Sequence, residues 1–530
     1  MVRNATDSVS RPMTIDSPTG ASPTRRQAIL AGLAAGAAAL GVAELLAGIL
    51  PGAASPIIAI GDLVIALQPP GAKQFVVDLF GEADKLLLNL VIAGVALAAA
   101  AGGGLAARRW PGSVTYGALA FGLLALVAGL RDPLSEPIPS LIVVALAVGV
   151  AVVTMRWLLR LAAERGRPAV AEMPAWGRRR FIGTSLAVIG VAAGSGLVGR
   201  ALLDRGRLNA ATQAASLPQP VAPAPSPPAG SSLAVEGISP LVTPTEQFYR
   251  IDTALLVPRP NIDSWRIKVH GLVEREFTLT YDELLAMPLH EQYVTIACVS
   301  NEVGGDLVGN ALWRGVRLKE LLDRAGLRSD ATQIVGRAVD GFTVGFPVVH
   351  AIAEDREPLV VVGMNGEVLP ADHGFPARLI VPGLFGYVSA TKWLTEIELT
   401  TWNGFDAYWV PLGWSKEGPI LTQSRIDVPR NGARLSAGPI TIAGVAWAPD
   451  RGVDAVEVQV DEGGWQPAEL STPISDATWV QFAHPWDASA GDHTIRVRAT
   501  DGGGEVQTDR RTRPDPDGAR GHHLIRVSVG

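Results

Sequence analysis

Apolar positions follow two rhythms along this chain. From residue 28 to about 203 they form long runs rich in Ala, Leu, Val and Gly, and from about Ser239 onward they alternate with polar residues over short stretches. Five runs read as membrane-crossing helices: 28–50, 86–107, 114–130, 138–155 and one from 181 to about 199. A helix needs roughly 20 apolar residues to cross the hydrocarbon, a length the third and fourth only approach. The run 56–67 is shorter still and reads as interfacial or re-entrant.

The connecting loops divide by charge. Arginines flank the first run (Arg25, Arg26), follow the second (Arg108, Arg109) and crowd the loop before the fifth (Arg156, Arg160, Arg165, Arg167, Arg178, Arg179, Arg180). The alternate loops hold only Lys73, Lys85 and Arg131. Positively charged loops stay in the cytoplasm, so five spans predict a multi-pass cell-membrane protein with its N-terminus inside and residues 240–530 outside. "GRRRFIGTSLAVIG" (177–190) also has the form of a twin-arginine export signal, a route for folded, often cofactor-loaded proteins. Orientation by positive charge alone accounts for the same arginines.

After the fifth run, "SLPQPVAPAPSPPAGSS" (216–232) is dominated by proline and alanine and reads as a semi-rigid spacer with no core. The globular pattern then begins. "SWRIKVHGLV" alternates Trp265, Ile267 and Val269 with Arg266, Lys268 and His270, the period of a half-buried strand. "TYDELLAMP" predicts a short helix with Thr280 and Glu283 as a capping box, and "GVRLKELLDRAG" a helix burying Leu318, Leu321 and Leu322 and stopping at Gly326. From about Pro419 helical patterns vanish. "VEVQVDEGGW", "HTIRVRATDGGG" and "HLIRVSVG" predict short strands of an immunoglobulin-type sandwich. The fold class is therefore multi-domain: an α-helical membrane region, an α+β domain and an immunoglobulin-like β-sandwich. The expected boundaries are a disordered cytoplasmic tail (1–24), the five-span region (25–205), a Pro/Ala-rich linker (206–238), the α+β domain (239–415) and the sandwich (416–530).

Composition narrows the chemistry. A net charge of −6 without a basic, aromatic-laced patch gives no sign of nucleic-acid binding. All eight histidines fall at His270 or later, so the membrane helices carry no axial ligand for haem. Cys298, in "TIACVSNEVGG", is the single cysteine, which excludes an internal disulfide, a multi-cysteine metal cage and an iron–sulfur cluster. Three readings stay open for it: a small buried hydrophobe, a nucleophile, or one thiolate on a soft metal held mainly by something else.

"CVSNEVGG" with "GNALWRGVRLKELLDRAG", and then "MNGEVLPADHGFPARLIVPGLFGYVSATKWL", resemble the molybdenum domain of the sulfite oxidase superfamily. "PILTQSRIDVPRNGARLSAGPITIAGVAWAPD" is similar to that family's C-terminal dimerisation domain. The resemblance runs from about 240 to 530 and implies a molybdenum–molybdopterin cofactor with Cys298 as the protein's metal ligand; from the histidine and cysteine positions neither haem nor an iron–sulfur cluster is expected. It implies that His373, Arg378, Lys392 and Arg250 contact the cofactor or line the active site, and that Phe248 and Tyr249 pack beside the pterin. Asn301 is expected to orient the cysteine loop, and Tyr408 is the candidate for a tyrosine near the metal. The family places arginines just after the cysteine, where one helps hold an anionic substrate, and this chain has Glu302 and Val303 instead.

The implied activity is two-electron oxygen-atom transfer on a small molecule of the sulfite, sulfoxide or N-oxide class. Electrons would be exchanged with a separate redox partner, and a homodimer would form through the C-terminal domain. Two other classes compete on architecture alone. One is a non-catalytic cell-surface receptor or adhesin on a proline-rich stalk, and the other is a cysteine hydrolase using His290 or His350.

Overall fold

The computed structural model describes residues 23–67, 84–132, 135–163, 175–211, 217–353 and 356–530. Nearly all of the expected N-terminal tail, the loop residues Lys73, Arg165 and Arg167, and linker residues 212–216 lie outside these. The chain forms two compact units, one made of helices up to Leu203 and one made mainly of residues from Asp204 to the C-terminus.

The first unit contains α1 (Arg25–Ile49), α2 (Pro56–Leu67), α3 (Asp84–Ala106), α4 (Ser113–Gly129), α5 (Pro137–Ala163) and the start of α6 (Ala175–Ala211). Four helices are long and apolar enough to cross a membrane: Arg25–Ile49, Leu86–Ala106, Pro137–Ala163 and Arg179–Leu203. The third expected span is the 17-residue α4. At 1.5 Å per residue it rises roughly 25 Å, short of a hydrocarbon core about 30 Å thick. Small residues let α1 touch its neighbours backbone to backbone. A Cβ on Gly32 or Gly104 would collide with the carbonyl of Ala100 or Ala28 across the α1–α3 contact. One on Gly41 or Gly199 would strike that of Ala192 or Glu44 across α1–α6. In lipid, where no hydrophobic drive acts between helices, close approach of this kind would hold them.

The second unit begins with β1 (Arg266–Gly271), β2 (Phe277–Thr280), β3 (His290–Ala297), β4 (Val308–Arg317), β5 (Gln333–Ala338), β6 (Thr343–Pro347), β7 (Leu359–Met364), β8 (Glu367–Val368), β9 (Arg378–Ile380) and β10 (Leu394–Thr400). They build one sheet in the order β2-β1-β10-β5-β6 and another in the order β3-β4-β7-β8, with β9 on β7. Trp265, Ile267 and Val269 are buried as the alternation requires. Thr280 and Glu283 close the expected capping box on the helix Tyr281–Leu285. The helix Leu318–Ala325 buries Leu318, Leu321 and Leu322, and Gly326 ends it at φ +73°. This half is α+β.

The rest is β-rich: β11 (Gln423–Val428), β12 (Arg434–Leu435), β13 (Gly438–Trp447), β14 (Val453–Val460), β15 (Gln466–Pro467), β16 (Glu469–Leu470), β17 (Val480–Ala488), β18 (Gly491–Asp501) and β19 (His523–Val529). Two sheets, β11-β13-β17-β16 and β12-β19-β18-β14-β15, share a core of residues such as Ile442, Val456, Val458, Phe482 and Ile525.

From Leu217 the proline-rich stretch is not the free spacer its composition suggests. Leu217 packs on the α+β core, Val221 N donates to Leu289 O (2.8 Å), and Leu233 N donates to Gln481 Oε1 (2.6 Å). Proline removes donors but leaves carbonyls and apolar rings, so an extended strap can lie against a folded surface.

The sandwich also grips the α+β half. Arg425 on β11 donates to Gly305 O (2.8 Å), and the His523 ring of β19 sits where a Cβ on Gly304 would have to go. His523 Nδ1 accepts from Ile426 N (3.0 Å). Burial, reinforced by the Arg425 charge, pushes the His523 pKa down to about 4. A depressed histidine pKa means that the folded state favours the neutral ring. Stability from this source is therefore full above about pH 6.5 and drains away as the pH falls toward 4, by at most about 3 kcal/mol. Denaturation of the full chain followed by tryptophan fluorescence at about pH 7 and 4.5 should reveal that loss, and His523→Gln should reduce it. An unchanged pH dependence in the variant would contradict it.

Candidate active site

Cys298 opens the connection between β3 and β4, and local hydrogen bonds fix that connection. Cys298 N donates to Leu307 O (2.9 Å), Asn301 N to Cys298 O (3.0 Å) and Gly305 N to Glu302 O (2.9 Å). Asn301 Oδ1 accepts from Leu307 N at 2.9 Å, so the side chain ties the two ends of the loop. The thiol is buried at 8% exposure and lines a cavity with Phe248, Tyr249, Arg378 and Lys392.

Two cations are buried in this cavity wall. Arg378 Nη1 donates to His373 O (3.0 Å), and its guanidinium lies 5.1 Å from the centre of the Trp313 ring. Burial brings its pKa down to about 10. Lys392 Nζ donates to Asp372 O (3.0 Å) and reaches Asp252 Oδ2 at 3.3 Å. Burial lowers its pKa to about 8, with the Asp252 charge opposing. Burial and then the charges of Arg378 and Lys392 take His373 down to about 4, leaving a neutral imidazole. Its Nε2 donates to Thr245 O (3.1 Å), which assigns the proton to that nitrogen. Burial, and then the Cys298 charge, raise the Tyr249 pKa and keep the phenol neutral. Phe248 stacks on Tyr249 at 5.2 Å and meets His373 and Trp313 edge-on, each at 5.7 Å.

The buried atoms Arg378 Nε, His373 Nδ1 and Asn301 Nδ2 find no hydrogen-bond partner among the described residues. A buried polar atom left unsatisfied costs about 1–3 kcal/mol, so two such donors and the His373 Nδ1 acceptor mark a place where a ligand completes the set. Two buried cations, Arg378 with an unmet donor at Nε, fit an anionic, phosphorylated cofactor. Among the described residues no cluster of three or more His, Cys, Asp and Glu can hold a metal ion. A metal at Cys298 must then draw its remaining donors from a cofactor, which suits molybdopterin.

Not every expected residue lines the cavity. Arg250 stands at its edge, 3.1 Å from Asp252 and 3.7 Å from Asp372. His373 and Asn301 act from behind the wall. Tyr408 is not a lining residue: its ring packs on Phe342 (5.5 Å), and its neighbour Trp409 lines the cavity. Glu302 is exposed and also lies off the cavity wall. Lining residues not expected from the sequence are Asp252, Asp340, Phe342, Tyr387 and Trp414. Asp252 and Tyr387 had a signal, the one two residues beyond Arg250 in "FYRIDT" and the other inside "GLFGYVSATKWL".

Residues 254–409 match the family model of the oxidoreductase molybdopterin binding domain. The chain is 32% identical to the mitochondrial sulfite oxidase of Mus musculus over 273 residues, covering 43% of this chain and 49% of that protein. It is 32% identical over 158 residues to the uncharacterized oxidoreductase YuiH of Bacillus subtilis, covering 30% of this chain and 76% of that one. Among solved structures, the sulfane dehydrogenase SoxCD of Paracoccus pantotrophus aligns with a TM-score of 0.49 at 22% identity, over 56% of this chain and 82% of its own. The chain spans about half the length of the mammalian sulfite oxidases it matches. With the family model matched over 254–409 and a 32% identical relative covered over 76% of its length, the chain belongs to the sulfite oxidase superfamily of molybdopterin-dependent oxidoreductases.

Proposed function

We propose that this chain is a membrane-anchored oxidoreductase that performs two-electron oxygen-atom transfer on a small molecule outside the cytoplasm and exchanges electrons with a separate redox partner. The observation that carries the reading is the convergence of Cys298, Arg378 with its unpartnered Nε, and Lys392 on one cavity. Bound molybdopterin would supply a molybdenum centre able to change by two electrons. The Cys298 thiolate would be its protein ligand, and Arg378, Lys392 and His373 would hold its anionic part. Phe248 and Tyr249 would offer apolar faces to the pterin, while Asn301 keeps the thiol loop in register.

The wall available to a substrate is aromatic and acidic rather than cationic. Phe342, Trp409 and Trp414 line it with Asp252 and Asp340, and the two cations are engaged by backbone carbonyls and Asp252. This favours a neutral or zwitterionic oxygen donor or acceptor, such as a sulfoxide or N-oxide, over sulfite. The outward orientation requires the short α4 to cross the membrane, because four crossings would return the soluble unit to the N-terminal side. Export by the twin-arginine route through Arg178 and Arg179, an immunoglobulin-type sandwich and a homodimer through it belong to the same reading.

Replacing Cys298 with Ser exchanges a soft thiolate for a hard, poorly ionised hydroxyl. Turnover should collapse at least a hundredfold while the fold persists, and the wild type should hold one molybdenum per chain by elemental analysis. Wild-type turnover in the variant, or no molybdenum in the wild type, would refute the reading.

For the substrate, the missing arginine after Cys298 removes a charge-assisted hydrogen bond worth about 1.5–3 kcal/mol. Sulfite binding should be weaker by roughly 10- to 150-fold than in a site that keeps it. Steady-state kinetics with artificial electron carriers should therefore favour a sulfoxide, and a micromolar Michaelis constant for sulfite would overturn this preference.

For topology, a reporter active only in the cytoplasm and fused after Gly530 should stay silent. A strong signal would mean four crossings.

A further inference from the structure

Asp340 is a cavity group for which the cofactor assignment has no use. It sits in the turn between β5 and β6 and lines the same cavity as Cys298. Asp340 Oδ1 accepts from Phe342 N at 3.1 Å, and among the described residues no hydrogen bond is made to its other oxygen. The residue is partly exposed, so its carboxyl communicates both with the cavity and with the surface.

The other carboxyl in the wall has a different setting. Asp252 is held by Lys392 at 3.3 Å and by Arg250 at 3.1 Å, so two cations meet it. Its fixed negative charge faces Asp340 and, after burial itself, disfavours a second charge there, while Lys392 pulls weakly the other way. Burial is the main cause, and the Asp340 pKa rises to about 6. Of the two carboxyl groups in the wall, Asp252 is tied to cations, and Asp340 keeps one oxygen open to the cavity.

Oxygen-atom transfer needs a proton carrier. In the reducing direction the substrate's bond to oxygen breaks, two O–H bonds of water form, and two electrons arrive from the one-electron carrier protein that serves as redox partner. The two protons of that water must reach a cavity walled by Phe342, Trp409, Trp414 and Tyr387, which offers few other acids. Cys298 and the buried cations are committed to the cofactor.

We propose that Asp340 delivers one of the two protons to the departing oxygen and is reprotonated from solvent, and that it takes up a proton when the reaction runs as an oxidation. This rests on the oxygen-transfer reading and adds to it a general acid that no motif announces. General acid–base groups typically contribute about 10²- to 10⁴-fold.

The test uses the full-length holoenzyme with Asp340→Asn and Asp340→Glu. With the wild type, kcat should fall as the pH rises through about 6 in the reducing direction. Asp340→Asn should remove that inflection and lower kcat at least tenfold with KM and molybdenum content little changed. Asp340→Glu should restore the inflection at a shifted pH. Infrared difference spectra across the same range should contain a protonated-carboxyl band that Asp340→Asn abolishes, a readout independent of turnover. An unchanged pH profile and band in Asp340→Asn would overturn the proposal, as would loss of molybdenum, which would make Asp340 a cofactor contact. Absence of molybdenum from the wild type would instead sink the oxygen-transfer reading, and the infrared titration would still report on Asp340 itself.

Discussion

Arg378 and Lys392 are two cations buried side by side in one wall, and the geometry around the candidate site answers to that constraint. Taking an ion out of water costs several kcal/mol unless partners replace its hydration. The chain supplies only part of the replacement: His373 O and Asp372 O from one turn, and the single carboxylate of Asp252. That turn must fold tightly enough to aim both carbonyls inward. Gly374 makes this feasible at φ +113°, where a Cβ would stand 2.9 Å from Lys392 Cα. The deficit that remains, with Arg378 Nε unpartnered, is what an anionic cofactor would fill. The same deficit explains why His373 is neutral and why Tyr249 holds its proton: this interior disfavours further charge of either sign unless a partner comes with it.

Much of this was legible in the sequence because it depends on local periodicity or on residues with few alternative uses. Alternation around Ile267, the Thr280 capping box and the leucine face of 318–322 are local facts, and the structure repeats them. Cys298 stood out because a single thiol must be either inert or special. Misreadings came where tertiary packing decides. Proline content marks residues 217–233 as coreless, yet their carbonyls and apolar rings find partners on the folded unit. Tyr408 and Trp409 are adjacent aromatics, and nothing local tells which one faces the cavity. Asp340 lies in an ordinary Asp-Gly turn whose surroundings include the Phe342 amide and the charges of distant Asp252 and Lys392. An adhesin reading fits the stalk and sandwich but leaves the unpartnered donors around Cys298 without a purpose.

The remaining step concerns why the β-rich half is joined to a domain that already contains the cavity. The loop bearing Cys298 is closed by hydrogen bonds at its base, but its tip at Gly304 and Gly305 has few contacts of its own kind. The sandwich supplies them: Arg425 holds the Gly305 carbonyl while its other nitrogens engage Asp427 and Ser239 at 2.8 and 2.7 Å, and His523 closes over Gly304. Gly304, at φ +81°, leaves no side chain between ring and backbone, so any larger residue would push the loop off the sandwich. A metal ligand needs its position fixed to within a fraction of an ångström by groups that are themselves immobilised. Strand β3 fixes one end of this loop and Asn301 its base. The sandwich fixes the tip, so the placement of the thiol is a property of both halves of the soluble unit and not of the cofactor domain alone.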